Sequence, residues 1–464
     1  MVQDEQQQGG KQDEPSGTVS RRDLIRKGAQ AAGSGVAALA ASGVLAAQKS
    51  SGADAAGGPN LAGRKFRAFI RTSQGASVQE VKLLPLRDDM VAIRTEATQC
   101  CYSIVNQALG TGTVGGAGGV VAARVLGHGG VGVVEAVGSG VRRVRPGDRV
   151  LVTNTPNCGE CYDCLRGRGD ICQMNPSAGE PLVPIGELAD GTPVHQHNNT
   201  GGFAELMITY DWYCVPAFTK ASGAELAVLG CVGATGLGAV TTFVPVDFGA
   251  SVVVLGAGPV GLSAIQGARV RGAAKIIAIE PIRARRELAL KLGATVALDP
   301  NVEGAGLVAK VRELCRDAAT RKLLGGRNNS AGSDSGGADY VIATVGADNA
   351  PPKVERGPDP TAILPTQQAW EMTRAGGQLV TLGLPRGNIS LPAGSWANRG
   401  RTHRAGQYGG VNAKSDVPRF IQLIDMGLFD AKTLAGSVYT LDRTKEAFQA
   451  VADRTIVGAV VVFA

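Results

Sequence analysis

Apolar spacing changes twice along the chain. From about residue 62 to 233, short apolar runs such as 90–95 and 131–137, the first of them near 65–71, are broken by Gly and Pro. This predicts short strands and a β-rich unit. From about 235 to 407, β-type apolar runs alternate with stretches long enough for helices, as α/β units built on a parallel sheet require. After 408 come two amphipathic stretches, 417–426 and 445–453, and a terminal apolar run at 459–463. Glycine-dense segments at 109–119 and 324–338 read as loops outside any core. The segmentation is therefore 1–60, 61–233 with a cysteine lobe at 157–173, 234–407, and a return segment 408–464 that completes the second of these. No internal repeat is evident.

With 464 residues and 44% apolar side chains, the chain can build two ordinary cores. The net charge of +7 does not come from the first 60 residues, where acidic and basic groups balance. It is spread out, and at 4% aromatic content there is no stacking platform, so nucleic acid is not an expected partner. A modest attraction for anionic ligands such as a dinucleotide is.

The N-terminal segment reads as an address. Arg21-Arg22 stands just before an uncharged stretch, 28–48, built mainly of Ala and Gly and closing on small residues at Ala46-Ala47. This resembles a twin-arginine export signal, with the export machinery as partner and a periplasmic or secreted destination, or the cytoplasm if the signal goes unused. Ala and Gly supply little transfer energy, so a stable membrane anchor is not expected.

The strongest ligand signal is an apolar run at 252–255 followed by Gly256-Ala257-Gly258-Pro259-Val260-Gly261 and a helix-compatible stretch to 271. Between a strand and a helix, such glycines allow a tight turn (Gly256), close approach of a pyrophosphate to backbone N–H groups (Gly258) and close packing (Gly261), with Pro259 and Val260 opening the helix. A second strand, 275–279, ends at Glu280, 19 residues after Gly261. A carboxylate there accepts from ribose hydroxyls and repels a 2′-phosphate, favouring NAD over NADP. Arg283, Arg285 and Arg286 follow and could recruit that phosphate, Arg285 being the candidate cofactor contact.

Cys158, Cys161, Cys164 and Cys172 pack four thiols into 15 residues. They suit a closed tetrahedral zinc. In an exported protein they could instead form two disulfides, but export in the folded state would let zinc load first in a reducing compartment.

Together with Cys100-Cys101, Leu126-Gly127-His128-Gly129, Val144-x-Pro146-Gly147-Asp148-Arg149-Val150 and Gly230-Cys231-x3-Thr235-Gly236, these motifs resemble the zinc-dependent medium-chain alcohol dehydrogenases from about residue 65 to 463. The resemblance implies a GroES-like β-rich catalytic domain and a doubly wound Rossmann domain, an α/β protein with two zincs per chain. It implies Cys101, His128 and Cys231 as ligands of a catalytic zinc, Ser103 as the hydroxyl that begins a proton relay, a small alcohol or aldehyde as substrate, and a homo-oligomer. The sequence departs from the family at Gly129 and Ile104, where acidic residues are usual, at Asn106 in place of a relay His, and at Gly458 in place of a phosphate-contacting Arg. The segment 348–365 resembles an insertion of glutathione-independent formaldehyde dehydrogenases, which retain NAD. Two alternatives stay open: a zinc-independent quinone or enoyl reductase, and a non-catalytic protein that binds zinc and a dinucleotide.

Overall fold

The computed structural model describes residues 58–114, 120–175, 182–316, 336–397 and 399–464. The twin-arginine segment up to residue 57, the end of the first glycine-dense segment (115–119) and most of the second (324–335) lie outside the described residues.

The strands are β1 (Lys65–Thr72), β2 (Gly75–Leu83), β3 (Met90–Gln99), β4 (Ala123–Val125), β5 (Gly130–Val137), β6 (Arg149–Val152), β7 (Gly186–Glu187), β8 (Pro193–Gln196), β9 (Leu206–Tyr210), β10 (Cys214–Pro216), β11 (Ser251–Leu255), β12 (Lys275–Ile279), β13 (Val296–Leu298), β14 (Ala338–Ala343), β15 (Thr373–Thr381), β16 (Thr402–Ala405), β17 (Ser437–Thr440) and β18 (Ala459–Val462). The first ten fold into a closed barrel, β1-β2-β7-β8-β4, and a sheet whose spine is β10-β6-β5-β3. The short apolar runs broken by Gly and Pro, such as 90–95 and 131–137, fall on β3 and β5, which are mostly buried.

Strands β11 to β16 form a parallel sheet in the order β13-β12-β11-β14-β15-β16. Every residue of β11 is buried, because helices cover both faces of the sheet, and this explains its unbroken Val-Val-Val-Leu run. The chain then returns to the first half. β18 pairs antiparallel with β3 across Val460–Gln99 and Val462–Ala97, and β17 pairs with β18. The architecture is a GroES-like catalytic unit joined to a Rossmann-like parallel sheet.

One expectation needs correcting at its edge. The second glycine-dense segment ends inside the core, since Ala338 opens β14 with no exposed surface. Gly337, at φ +119°, turns the chain into the sheet there. Among the described residues, no single helix is long and apolar enough to cross a membrane.

Candidate active site

Strand β3 carries the first sulfur to its place. Its end is held by the Cys100 N–H donating to Ala459 O at 2.8 Å, and Cys101 follows as the chain turns into the short helical stretch Tyr102–Ile104. His128 sits between Gly127 at φ +103° and Gly129 at φ +101°, a backbone that side chains rarely adopt. A Cβ at 127 would meet Gly202 N at 2.8 Å, and one at 129 would meet Gly230 O at 2.7 Å. The acidic residue usual after this histidine is therefore excluded here by backbone geometry. Cys231 precedes the helix Val232–Gly238.

These three converge. Cys231 Sγ lies 3.3 Å from His128 Nε2 and 3.9 Å from Cys101 Sγ. Two sulfurs on a tetrahedral zinc stand about 3.8 Å apart, given a Zn–S bond of about 2.3 Å, whereas a disulfide brings them to about 2.05 Å. The donor set thus fits a metal with three protein ligands. The Cys101 thiol is held well below its ordinary pKa, first by the Cys231 hydrogen bond and then by the His128 charge and by Ser103, so the pocket favours a thiolate. Ser103 Oγ donates to Cys101 Sγ at 3.1 Å, while Asn106 is exposed.

The four-cysteine lobe passes the same test. Cys158 and Cys164 sulfurs are 3.9 Å apart, those of Cys161 and Cys172 are 4.0 Å apart, and all four lie within 4.8 Å of one another. Burial opposes ionisation of Cys161, yet backbone N–H groups of Gln173 and Cys164 and the neighbouring thiols outweigh it and bring its pKa down to about 6. Lys414 Nζ and Arg143 donate to Cys158 O, tying the lobe to the helix Ala413–Asp425 and to the loop after β5.

A cavity of about 240 Å³ lies between the two halves, lined by Cys101, Gly256, Gly258, Pro259, Val260, Gly261, Glu280 and Arg285 among others. Gly256 turns at φ +90°, and a Cβ on Gly261 would fall 1.9 Å from Gly256 O, so the third glycine clears the turn itself. Around Gly258 the space is open, with only Arg285 Nη1 near, at 3.9 Å from a would-be Cβ. The Glu280 carboxylate is buried and accepts from Ala257 N at 2.6 Å and Ile282 N at 3.0 Å. Arg286 is occupied by Asp299 at 2.9 Å and by two carbonyls, and Arg283 pairs with Glu287 at 2.9 Å. Arg285 donates to Ile456 O, and burial lowers its pKa, with Glu280 opposing and Arg454 reinforcing.

The segment after β14 closes one side of this cavity. Asp348 is bonded to Arg356 at 2.9 Å and to Arg454 across the cleft. The Tyr102 hydroxyl accepts from Asn349 N at 3.0 Å and from Arg454 Nη2 at 3.2 Å, and Lys353 pairs with Asp453 at 2.8 Å.

Two family descriptions match in chain order: "Alcohol dehydrogenase GroES-like domain" over residues 87–219 and "Zinc-binding dehydrogenase" over 259–354. Both halves of the chain are thus similar to zinc-type medium-chain dehydrogenases.

The chain is 28% identical over 393 residues to an S-(hydroxymethyl)glutathione dehydrogenase of Haemophilus influenzae, covering 83% of this chain and 94% of the relative. An alcohol dehydrogenase zinc-binding domain protein from Burkholderia ambifaria superposes with a TM-score of 0.70 at 26% identity, covering 86% of this chain and 99% of the other. Benzyl alcohol dehydrogenase from Acinetobacter calcoaceticus, at 24% identity and a TM-score of 0.69, covers 86% of this chain and 100% of its own, and shares the fold.

Several residues of this dehydrogenase site escape sequence reasoning. Tyr102 and Arg454 line the cavity from segments about 350 positions apart, and His197 packs beside His128 with ring centroids 5.7 Å apart. Tyr102 alone had a signal, its place next to Cys101.

Proposed function

We propose that this chain is a zinc-dependent alcohol dehydrogenase that exchanges a hydride between an alcohol, or an aldehyde hydrate, and NAD. One observation carries the reading: Cys101 belongs both to the three-residue metal cluster and to the wall of the cavity floored by the glycine-rich turn. A substrate oxygen at the metal and a nicotinamide in the cleft would meet beside that one residue.

Cys101, His128 and Cys231 would hold the catalytic zinc, and Cys158, Cys161, Cys164 and Cys172 a structural one. Zinc at the first site supplies Lewis acidity, favouring ionisation of an alcohol and polarisation of a carbonyl. Ser103 offers the adjacent hydroxyl and passes the released proton toward solvent. With Asn106 in place of a histidine, water carries it onward. The glycine turn and the N-terminus of the helix Pro259–Val270 receive the pyrophosphate, with Arg285 beside it. Oxidation moves one hydride from the alcohol carbon to NAD⁺ and frees one proton.

NAD is favoured over NADP because Glu280 stands where a 2′-phosphate would lie and Arg283 and Arg286 are already engaged with other groups. The fastened segment 348–356 supports a tightly held NAD(H), regenerated in place by a carbonyl substrate or another electron acceptor. Such retention suits a protein sent out of the cytoplasm by a twin-arginine signal, the localisation we propose, together with assembly into a homo-oligomer.

The test is zinc and nicotinamide content of protein purified without added metal or cofactor, followed by hydride transfer with benzyl alcohol, formaldehyde hydrate and S-(hydroxymethyl)glutathione. Two zincs, retained NAD(H) and turnover of at least one compound are expected. One zinc, no bound dinucleotide and no turnover would overturn the reading.

A further inference from the structure

The carbonyls of both glycines that flank His128 are held by side chains that come from elsewhere in the chain. Gly129 O accepts from Thr98 Oγ at 2.8 Å. Gly127 O accepts from Thr200 Oγ at 3.2 Å and from His197 Nδ1, also at 3.2 Å. The two imidazoles are tilted by 47° with centroids 5.7 Å apart, so His197 touches the ligand ring as well as the peptide that carries it. Gln107 Nε2 approaches the other nitrogen of His197 at 3.5 Å. With the proton on Nδ1, one nitrogen donates to Gly127 O and the other is left to accept from Gln107.

A ligand histidine needs something to fix its ring, and an acidic neighbour commonly does this. Here neither position that would supply one can do so. Residue 129 is a glycine whose Cβ would collide with Gly230 O, and residue 104 is a buried isoleucine. We propose that His197 is the positioning residue of the catalytic metal site, fixing the His128 ring through its hydrogen bond to the Gly127 carbonyl. The proposal rests on the reading of Cys101, His128 and Cys231 as a metal site.

Two substitutions separate the hydrogen bond from the ring. His197→Asn places an amide N–H close to where Nδ1 stands and keeps the bond to Gly127 O. His197→Phe keeps a ring and loses the bond. The readout is Co²⁺ and Zn²⁺ titration, with the lobe metal as internal control and the visible cobalt spectrum as reporter of geometry. His197→Phe is expected to bind the catalytic metal on the order of 10- to 100-fold more weakly and to shift the cobalt bands. His197→Asn should stay near wild type, and lobe occupancy should be unchanged in both. A phenylalanine variant with wild-type affinity and spectrum, or an asparagine variant as impaired as it, would overturn the proposal while leaving the proposed function standing. If wild-type protein takes up only the lobe metal, the site reading fails and the proposal falls with it. Should His197→Phe not fold, Thr200→Val decides: it removes a second donor to Gly127 O and should weaken the same metal, and an unchanged affinity would be fatal to the idea.

Discussion

Asp348 is bonded to Arg454, so the segment leaving β14 is fastened to the opposite wall of the dinucleotide cleft. Both side chains are mostly buried, at 11% and 18% exposure, which makes this pair more than a screened surface contact. Breaking one partner of a largely buried charge pair costs about 2 kcal/mol or more. Asp348→Asn should accordingly release NAD(H) roughly 30-fold faster, measured by chasing bound cofactor with excess ADP-ribose. Unaltered release would mean that the segment does not hold the cofactor.

Glu280 spends both oxygens on backbone N–H groups, at Ala257 and Ile282. Glu280→Gln should lower the ratio of kcat/KM for NAD over NADP by about tenfold, since the repulsive charge disappears. The ratio should remain above one, because Arg283 and Arg286 stay committed to Glu287 and Asp299.

Replacing Gly129 by Asp, an acidic residue of the kind the resemblance implies there, should harm rather than help. The φ of +101° alone costs about 1–3 kcal/mol for a side chain, and the Gly230 carbonyl blocks the Cβ. Loss of the catalytic metal with the lobe metal retained is the expected outcome of elemental analysis.

Cys158→Ser should remove the lobe metal and lower stability by about 4 kcal/mol or more. Thermal unfolding with and without a chelator checks this: chelation should destabilise the wild type and leave the variant almost unaffected.

Acid stability should depend on Asp339. Burial raises its pKa, but hydrogen bonds from the Ser251 hydroxyl and N–H and from Arg374, with the charge of that arginine, outweigh burial and hold it below the ordinary carboxylate range. A depressed folded-state pKa adds stability at pH above the unfolded value, and that stability is lost as pH falls through the folded value. Asp339→Asn should therefore cost stability at neutral pH and flatten the fall below about pH 4, followed by urea unfolding across pH.

Local chemistry was legible in the sequence where one segment contains the whole cause. The apolar run of β11, the glycines that follow and the helix Pro259–Val270 lie where the strand, turn and helix signals put them, because each signal acts over a few residues. Long-range partners were not legible. Nothing near His128 points to His197, and nothing near Asp348 points to Arg454, which also takes φ +58°. Arg71 and Arg124, charged as they are, are 4% and 1% exposed, because their strands pair in the closed barrel, and Arg71 reaches carbonyls of residues 107, 110 and 112. The two-residue β7 is too short to leave any period.

The pairing of β18 with β3 has a consequence for the order of events in folding. Strand β3 delivers Cys101, and its last two residues, Thr98 and Gln99, pair with Val461 and Val460, while Cys100 N–H donates to Ala459 O. A ribosome that has released the barrel, the glycine turn at 256–261 and all four lobe cysteines has still not supplied the strand that steadies the first catalytic sulfur. Such distant contacts close late and slowly. The lobe can mature while the chain is still growing, but the catalytic centre waits for residues 459–462.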